Sequence, residues 1–554
     1  MKNITINVNS KITLLILLIM MMGFASCEKS LEVIPKAQIS DVSIWNSKSN
    51  ADLFLNNIYK DLPDVTVWRQ GTSAEDPEEN FSDNSMNGVD WRNSRTIYAK
   101  SIYTPSDYIN HWFWYSSIRN CNLFIEKVTA SSLDDTWKKG RLTEVRFLRA
   151  LFYQMLWIHY GGVPIITNVL DRYTQGDAIF YARNTSDEVF KFITDELAAI
   201  IPDLPIKPET GRASLGAALA LKGWCELFQA SPLKNPANDK SRWALAAATN
   251  QNVMDLGVYS LFPDLPTLFF SENKNSVETI FAKGHVAGTA LGGLAIHELQ
   301  VPYVRGLYSG NGEETPTQEL VDEYAMANGL PITDPASGYD PQNPYLNREK
   351  RFYQTVIYNG SVWREDTIWT WVGSGSKNTL DLANNSETSN TGYFLRKGLD
   401  VRLAVNWYQT NGADYIIFRY AEILLNYAEA KNEASGPDPS IYDAINKVRA
   451  RSGLTGLPSG LSQDQMRVAI RRERRVELAF EEKRWLDLLR WKIAEEKLNG
   501  SLHAMEITKV NGHFVYTVIP APGGERLFYP KNYVLPIPQS AMDQNTKLVQ
   551  NPGY

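Results

Sequence analysis

Glu144-Val145-Arg146-Phe147-Leu148-Arg149-Ala150-Leu151-Phe152-Tyr153, followed by Tyr160-Gly161-Gly162-Val163-Pro164, is the stretch on which the fold turns. Val145, Leu148, Phe152, Met155 and His159 recur at spacings of 3, 4, 3 and 4, which at 3.6 residues per turn puts them on one face of a helix. The glycine pair and the proline stop that helix. Further on, Asn184-Thr185-Ser186-Asp187-Glu188 supplies a cap to a helix running to Ile201, where Pro202 interrupts, and Gly211 to Ala230 is rich in alanine and leucine without proline. Between about 47 and 260 such helices of about 20 residues, separated by short breaks, predict stacked antiparallel pairs of the tetratricopeptide kind, although no clean 34-residue repeat is visible.

From 285 to 412 the character changes. Glycine, asparagine, serine, tyrosine and tryptophan accumulate, as in Leu307-Tyr308-Ser309-Gly310-Asn311-Gly312 and Trp369-Thr370-Trp371-Val372-Gly373, and predict loops and short strands. Helical pattern returns with Ile416, Tyr420, Ile423, Tyr427 and Ala430, and again from Ser462 to Trp491. The expected organisation is a signal peptide at 1–26, a helical region at 27–284, and a region at 285–554. The last comprises a loop-rich part at 285–412, a helical part at 413–500 and an extended tail. The fold class is mainly α.

The 554 residues carry 62 acidic and 56 basic side chains, a balance that gives a phosphate backbone no purchase and excludes a nucleic-acid partner. Lys2 and Lys11, the uncharged run Ile12 to Phe24, and Phe24-Ala25-Ser26-Cys27 read as an export signal ending at a lipid-accepting cysteine. The run is too short for an ordinary transmembrane helix. Loss of residues 1–26 removes two lysines and no acid, leaving 54 basic and 62 acidic residues and a net charge of -8. Cys121 and Cys225 sit in apolar helical pattern and read as core; two cysteines make neither a disulfide framework nor a metal site.

These stretches resemble the SusD/RagB family of Bacteroidetes. The resemblance continues through Arg419-Tyr420-Ala421-Glu422-Ile423-Leu424-Leu425, Tyr427-Ala428-Glu429-Ala430-Lys431-Asn432-Glu433, Arg472-Glu473-Arg474-Arg475-Val476-Glu477-Leu478-Ala479-Phe480 and Arg484-Trp485-Leu486-Asp487-Leu488-Leu489-Arg490-Trp491. It ends with Leu535-Pro536-Ile537-Pro538 and Asn551-Pro552-Gly553-Tyr554. Asn347-Arg348-Glu349-Lys350-Arg351 departs from the Asn-Arg-Asp-Pro-Arg usual there and puts that turn in question. The resemblance implies a SusD-like fold, with tetratricopeptide-like helix pairs as scaffold and a loop-rich half carrying the ligand site. It also implies a lipid-anchored protein at the cell surface, in the outer membrane, that binds a glycan and passes it to a SusC-like TonB-dependent transporter.

No HExxH, G-x-S-x-G, Walker loop or G-x-G-x-x-G is present, so the expectation is no enzyme, no catalytic residue, no cofactor and no metal. His111 and His159 read as packing residues. The arginines and glutamates of 471–482 fall at three- and four-residue spacings and read as exposed helix-surface pairs worth tenths of a kcal/mol each. Glu422 and Glu429 read as partners of arginines on neighbouring helices. Aromatics in polar sequence, namely Trp68, Trp91, Tyr303, Tyr308, Trp363, Trp369 and Trp371, can cover the apolar face of a pyranose while amides, carboxylates and guanidinium groups meet its hydroxyls. Trp369 and Trp371 alternate as core-facing strand residues also do. The expected ligand contacts are Trp68, Asp83, Asn87, Trp91, Arg92, Tyr303 and Tyr308, with the regions near 80–93 and near 300 taken from the resemblance. Peptide binding by the same kind of protein, and a secreted glycan hydrolase, are the alternatives.

Overall fold

Helix-forming pattern becomes ten helices of seven or more residues among the described residues. They are α1 (Lys48–Lys60), α2 (Trp114–Ala130), α3 (Asp135–Tyr160), α4 (Ser186–Ile200), α5 (Leu215–Ala230), α6 (Lys240–Asp255), α7 (Tyr420–Ser435), α8 (Pro439–Arg451), α9 (Gln463–Glu477) and α10 (Arg484–Arg490). The computed structural model describes residues 44–64, 78–86, 98–106, 111–288, 303–304, 308–309, 312, 314–373, 389–403 and 411–554. Cys27 and the expected signal peptide lie outside these residues.

Local chemistry sets the helix ends. Asp134 accepts from the Trp137 amide at 2.8 Å to open α3, and Gly161, at φ +72°, closes it in a conformation that costs glycine little. Thr185 and Glu188 form a reciprocal capping box on α4, and Ser214 caps α5. The 3-4-3-4 spacing on α3 predicts one apolar face, but every residue from Phe147 to Tyr160 is buried. The reason is its place at the centre, packed by α2 and α4 and touched by Phe281.

Each helix of the first half packs on the next, α2 on α3, α3 on α4, α4 on α5 and α5 on α6. The second half continues this stack instead of starting a separate core. Leu227 and Ala230 of α5 and Trp243 and Ala246 of α6 share one apolar cluster with Leu424, Leu425 and Ala428 of α7, Ile445 and Val448 of α8, and Met466 and Ile470 of α9.

The short strands are β1 (Ser85–Met86), β2 (Thr279–Lys283), β3 (Tyr303–Val304), β4 (Tyr308–Ser309), β5 (Thr315–Pro316), β6 (Val356–Ile357), β7 (Ser361–Trp363), β8 (Asp366–Ile368), β9 (Phe394–Leu395) and β10 (Tyr415–Arg419). They pair antiparallel as β1–β5, β2–β10, β3–β4, β6–β9 and β7–β8. The β2–β10 pair crosses the compositional boundary at 284/285. It also corrects one expectation: Ile416 lies on β10, and the helix begins only at Tyr420. Within the expected extended tail, β11 (Gly500–Val510) and β12 (His513–Arg526) form a long hairpin.

The charged run 471–482 is also corrected. Glu473, Arg474, Arg475 and Glu477 are buried, and their partners come from remote segments. Arg351 Nη1 reaches Glu473 at 2.7 Å and Glu477 at 3.2 Å, while Arg419 Nη1 lies 2.7 Å from Glu278 and 2.8 Å from Glu477. Arg419 Nε meets Glu481 at 2.6 Å, Arg449 meets Glu473 at 3.2 Å, and Arg451 pairs with Glu278 and Glu477. Lys397 donates to Glu481 and to the Glu477 and Ala479 carbonyls. The turn put in question by Lys350 forms with Asn347 at φ +54°. Glu349 accepts from the Ala325 amide and from Arg351.

Glu422 and Glu429 pair as expected. Glu422 meets Lys483 at 3.1 Å and Arg474 at 3.7 Å. Glu429 accepts from both terminal nitrogens of Arg490, at 2.6 and 2.7 Å, and from Trp491 Nε1. Cys121 and Cys225 are buried free thiols.

Burial alone would raise the Glu429 carboxyl, but Arg490 outweighs it and holds the group down at about 2, against an ordinary 4.5. A depressed carboxylate stabilises the fold above its unfolded value and loses that contribution as pH falls through the folded one. The expected outcome is a loss of about 3 kcal/mol from this group between pH 4.5 and 2, read as a falling melting temperature. Glu429→Gln should flatten that slope and cost about 3 to 5 kcal/mol at pH 7, because Arg490 then keeps too little counter-charge.

Candidate functional site

Of the region near 80–93 expected to face a ligand, Asn80 to Met86 are described, and all of them, with Glu78 and Glu79 before them, are buried. Their polar groups satisfy one another. Ser82 Oγ donates to the Glu79 carbonyl, the Asn84 amide donates to Ser82 Oγ, Asn84 Nδ2 donates to Glu79, and Ser85 Oγ donates to Asn80. Remote groups take further acceptors: Arg475 Nε reaches Asn84 Oδ1 at 2.7 Å, Arg526 reaches the Asn80 and Ser85 carbonyls, and the Phe480 amide donates to Glu79.

Asp83 is the one expected ligand contact whose side chain is described, and its role is corrected. It is 2% exposed. Oδ1 and Oδ2 accept from Arg484 Nε and Nη2 at 2.7 and 2.8 Å, and Arg475 lies 3.1 Å from Oδ2. Burial alone would raise this carboxyl, but the two guanidinium groups hold it far below the ordinary carboxylate range. Its oxygens are already used, so Asp83 positions the segment and does not face a ligand.

That segment is tied to a second one. Ser85 pairs with Pro316 and Met86 with Thr315. Thr315 Oγ1 donates to the Met86 carbonyl at 2.6 Å, and Thr317 Oγ1 donates to the Asp83 carbonyl at 2.7 Å. Residues 83–86 are therefore fixed beside residues 315–317. Tyr303 and Tyr308 lie on β3 and β4, paired Tyr303 to Ser309 and Val304 to Tyr308. Trp68, Asn87, Trp91 and Arg92 lie outside the described residues.

The other tryptophans separate. Trp363 is 1% exposed and belongs to the core with Ile357, Ile368 and Phe394. Trp369 follows β8, is 38% exposed, and lies 5.5 Å from Phe514 of β12. Trp371 is half-buried beside the same ring, with Lys509 Nζ over both Trp371 and Phe514. Phe514 reaches this patch from β12 of the long hairpin and is not among the sequence-derived candidates. Among the described residues, Glu78, His111 and His159 bring ligand-type atoms within 4.8 Å of one another, with the two imidazoles face to face at 3.8 Å and His159 Nε2 2.6 Å from Glu78 Oε1.

Asp83→Asn should leave Arg475 and Arg484 without adequate counter-charge. The expected cost is about 3 to 5 kcal/mol, seen as a lower melting temperature with ligand absent, whereas a ligand-contact role would leave stability unchanged.

Residues 290–554 match the family model described as the SusD family, and residues 30–222 match one described as starch-binding and associating with the outer membrane. A SusD-like protein of Formosa agariphila, P2, is 24% identical over 531 residues, covering 94% of this chain and 90% of its own. A crystal structure of a SusD-like protein from Bacteroides fragilis superposes with a TM-score of 0.78 at 29% identity, covering 93% of this chain and 99% of that one. A second from the same organism, described as a SusD-like carbohydrate-binding protein, gives 0.77 at 27%, covering 92% and 100%. With two family models spanning most of its length and the whole architecture shared, the chain belongs to the SusD/RagB family.

Proposed function

We propose that this protein is a surface-exposed outer-membrane lipoprotein, anchored through lipid on Cys27, that binds a glycan and delivers it to a SusC-like TonB-dependent transporter without catalysing a reaction. The observation that carries the reading is the β1–β5 pair. It holds residues 85–86, next in sequence to the candidates Asn87, Trp91 and Arg92, beside residues 315–316, which follow Tyr303 and Tyr308 in the chain. Kinship with a carbohydrate-binding relative over the whole chain supports it.

Rings and short polar side chains suit a sugar, since one pyranose face is apolar and its rim is hydroxylated. Covering roughly 60 Å² at about 25 cal/mol per Å² gives about 1.5 kcal/mol per ring, and two rings give about 3. Millimolar binding already needs about 4.1 kcal/mol. Hydrogen bonds from Asn87 and Arg92 are assigned the remainder, and a polymer engaging several sites gains further by effective concentration. The transporter follows from the address, because a tethered binder holds its ligand but cannot carry it through a membrane. Among the described residues no helix is long and apolar enough to cross one.

Calorimetry of the purified protein against a glycan and peptide panel tests the reading. Glycan binding is expected, weakened about tenfold, or about 1 to 2 kcal/mol, by alanine at a critical ring among Trp68, Trp91, Tyr303 and Tyr308, with melting temperature held. Binding of peptides alone, turnover of a glycan, or unchanged affinity in all four variants would overturn it. Cys27→Ala should abolish fatty-acid labelling and release the protein from membranes. Co-purification with a TonB-dependent transporter from gently solubilised outer membrane is expected for the native lipoprotein; its absence after crosslinking would reject the delivery role.

A further inference from the structure

An open cleft of about 320 Å³ lies where three parts of the chain meet: the start of α2, residues 164–181 beyond α3, and the short helix Gln539–Gln544. Trp112, Tyr115, Phe180 and Tyr181 bring rings to its wall, and Ser540 and Gln544 bring a hydroxyl and a side-chain amide. The four rings are half-buried, and the two polar side chains are exposed. None of the six is among the ligand contacts expected from the sequence.

Bonds within the chain hold these walls. Tyr115 Oη donates to the Pro164 carbonyl at 2.7 Å. The Trp112 ring centre lies 4.9 Å from that of Tyr115 and 5.2 Å, edge to face, from that of Tyr160. Asn545 Nδ2 donates to the Tyr181 carbonyl at 2.8 Å, and the Gln539 amide donates to the Pro105 carbonyl at 2.9 Å. The cleft is thus formed before any ligand enters, and occupancy needs little further ordering. Its polar rim is available. Among the described residues Ser540 and Gln544 make no side-chain hydrogen bond, and Arg172, whose guanidinium carbon lies 5.7 Å from the Phe180 ring centre, makes no ion pair.

The volume falls at the lower end of the range for small-molecule sites, about 300–1,000 Å³. An aliphatic chain would gain nothing from the amide and hydroxyl, and an inorganic anion would gain nothing from four rings. A pyranose uses both, setting its apolar C–H face on the rings and its hydroxyls toward Ser540, Gln544 and the Arg172 guanidinium. We propose that this cleft is a second saccharide site, taking one or two pyranose units and sharing no residue with the loop candidates around Trp91 and Tyr303. The inference rests on the glycan reading of the protein and gives one chain two places at which to hold a polymer.

The test labels the full chain with 5-fluorotryptophan and follows the fluorine resonance of Trp112. Its loss in Trp112→Phe identifies it; if that variant does not fold, broadening by a spin label on Gln544→Cys does so. Glucose, galactose, mannose, xylose and disaccharides of each are titrated. A saturable shift from at least one of them is expected, with none from sorbitol, which has hydroxyls but no ring face. Phe180→Ala and Gln544→Ala should each weaken the response about tenfold, and Trp91→Ala should leave it unchanged. Gln544 is exposed, so its variant keeps the fold. No saturable shift from any sugar, an equal shift with sorbitol, or unchanged affinity in both cleft variants would overturn the proposal. Glycan binding by calorimetry that is lost in Trp91→Ala would, in that event, leave the main reading standing. A shift from peptides alone would make the cleft a protein interface and overturn the proposal equally. A sugar response at Trp112 that persists while none of the loop variants alters calorimetric binding would support the cleft and reject the loop placement.

Discussion

A charge carried into a protein interior must find its counter-charge there, and Glu477 shows how much of this fold obeys that demand. Fully buried on α9, it faces Arg351 from the loop-rich part, Arg419 from the end of β10 and Arg451 from α8. Around it Glu278, Glu349, Glu473 and Glu481 are met by the same arginines and by Arg449 and Lys397. Burying ion pairs adds little stability over well-packed apolar side chains, whereas removing one partner is costly. The network therefore acts through location: α8, α9, β2, β10 and the loop-rich part can come together in one arrangement that leaves no ion without a partner.

The same physics builds the support beneath the proposed ligand site. Residues 78–86 are polar because they line a seam between arginines. Arg475 serves both systems, since it rises from α9 beside Glu477 and grips Asp83, Asn84 and Glu323. Residues 83–86 are thus anchored to the helical scaffold, and β5 is held to them through β1.

What could be read from residues alone follows the range of the interaction. Thr185 with Glu188, and Gly161, act within a few positions, so both ends of α4 and the C-terminal end of α3 were legible; the start of α3 at its Asp134 cap was not read, and α5 begins at Leu215, four residues after Gly211. Glu429 was legible because a lone acid on an apolar helix needs a base. Asp83 was misread because a polar stretch facing arginines looks the same as one facing water. The run 471–482 was misread for a related reason: intrahelical spacing offered nearby partners, while the actual ones, such as Arg351 to Glu473, lie 122 positions away. The hairpin β11–β12 escaped because its alternation was submerged in a segment taken as a tail. The candidate site was legible as two regions, and its geometry beyond the β1–β5 join rests on pairings that no local pattern encodes.

The β2–β10 join also sets a clock. Glu278 emerges from the ribosome 141 residues before Arg419, its partner across that strand pair. At about 5 to 20 residues per second the delay is roughly 7 to 28 s. Throughout that interval helices α1 to α6 have been synthesised, but their neighbours α7, α8 and α9 have not, and Glu278 remains hydrated. The early half of the chain thus waits with the apolar face formed by Leu227, Ala230, Trp243 and Ala246 of α5 and α6 bare until the late half arrives. Folding of this protein is a closing event of the whole chain, and any factor that shields the nascent helices during the wait acts on the face that α7 later covers.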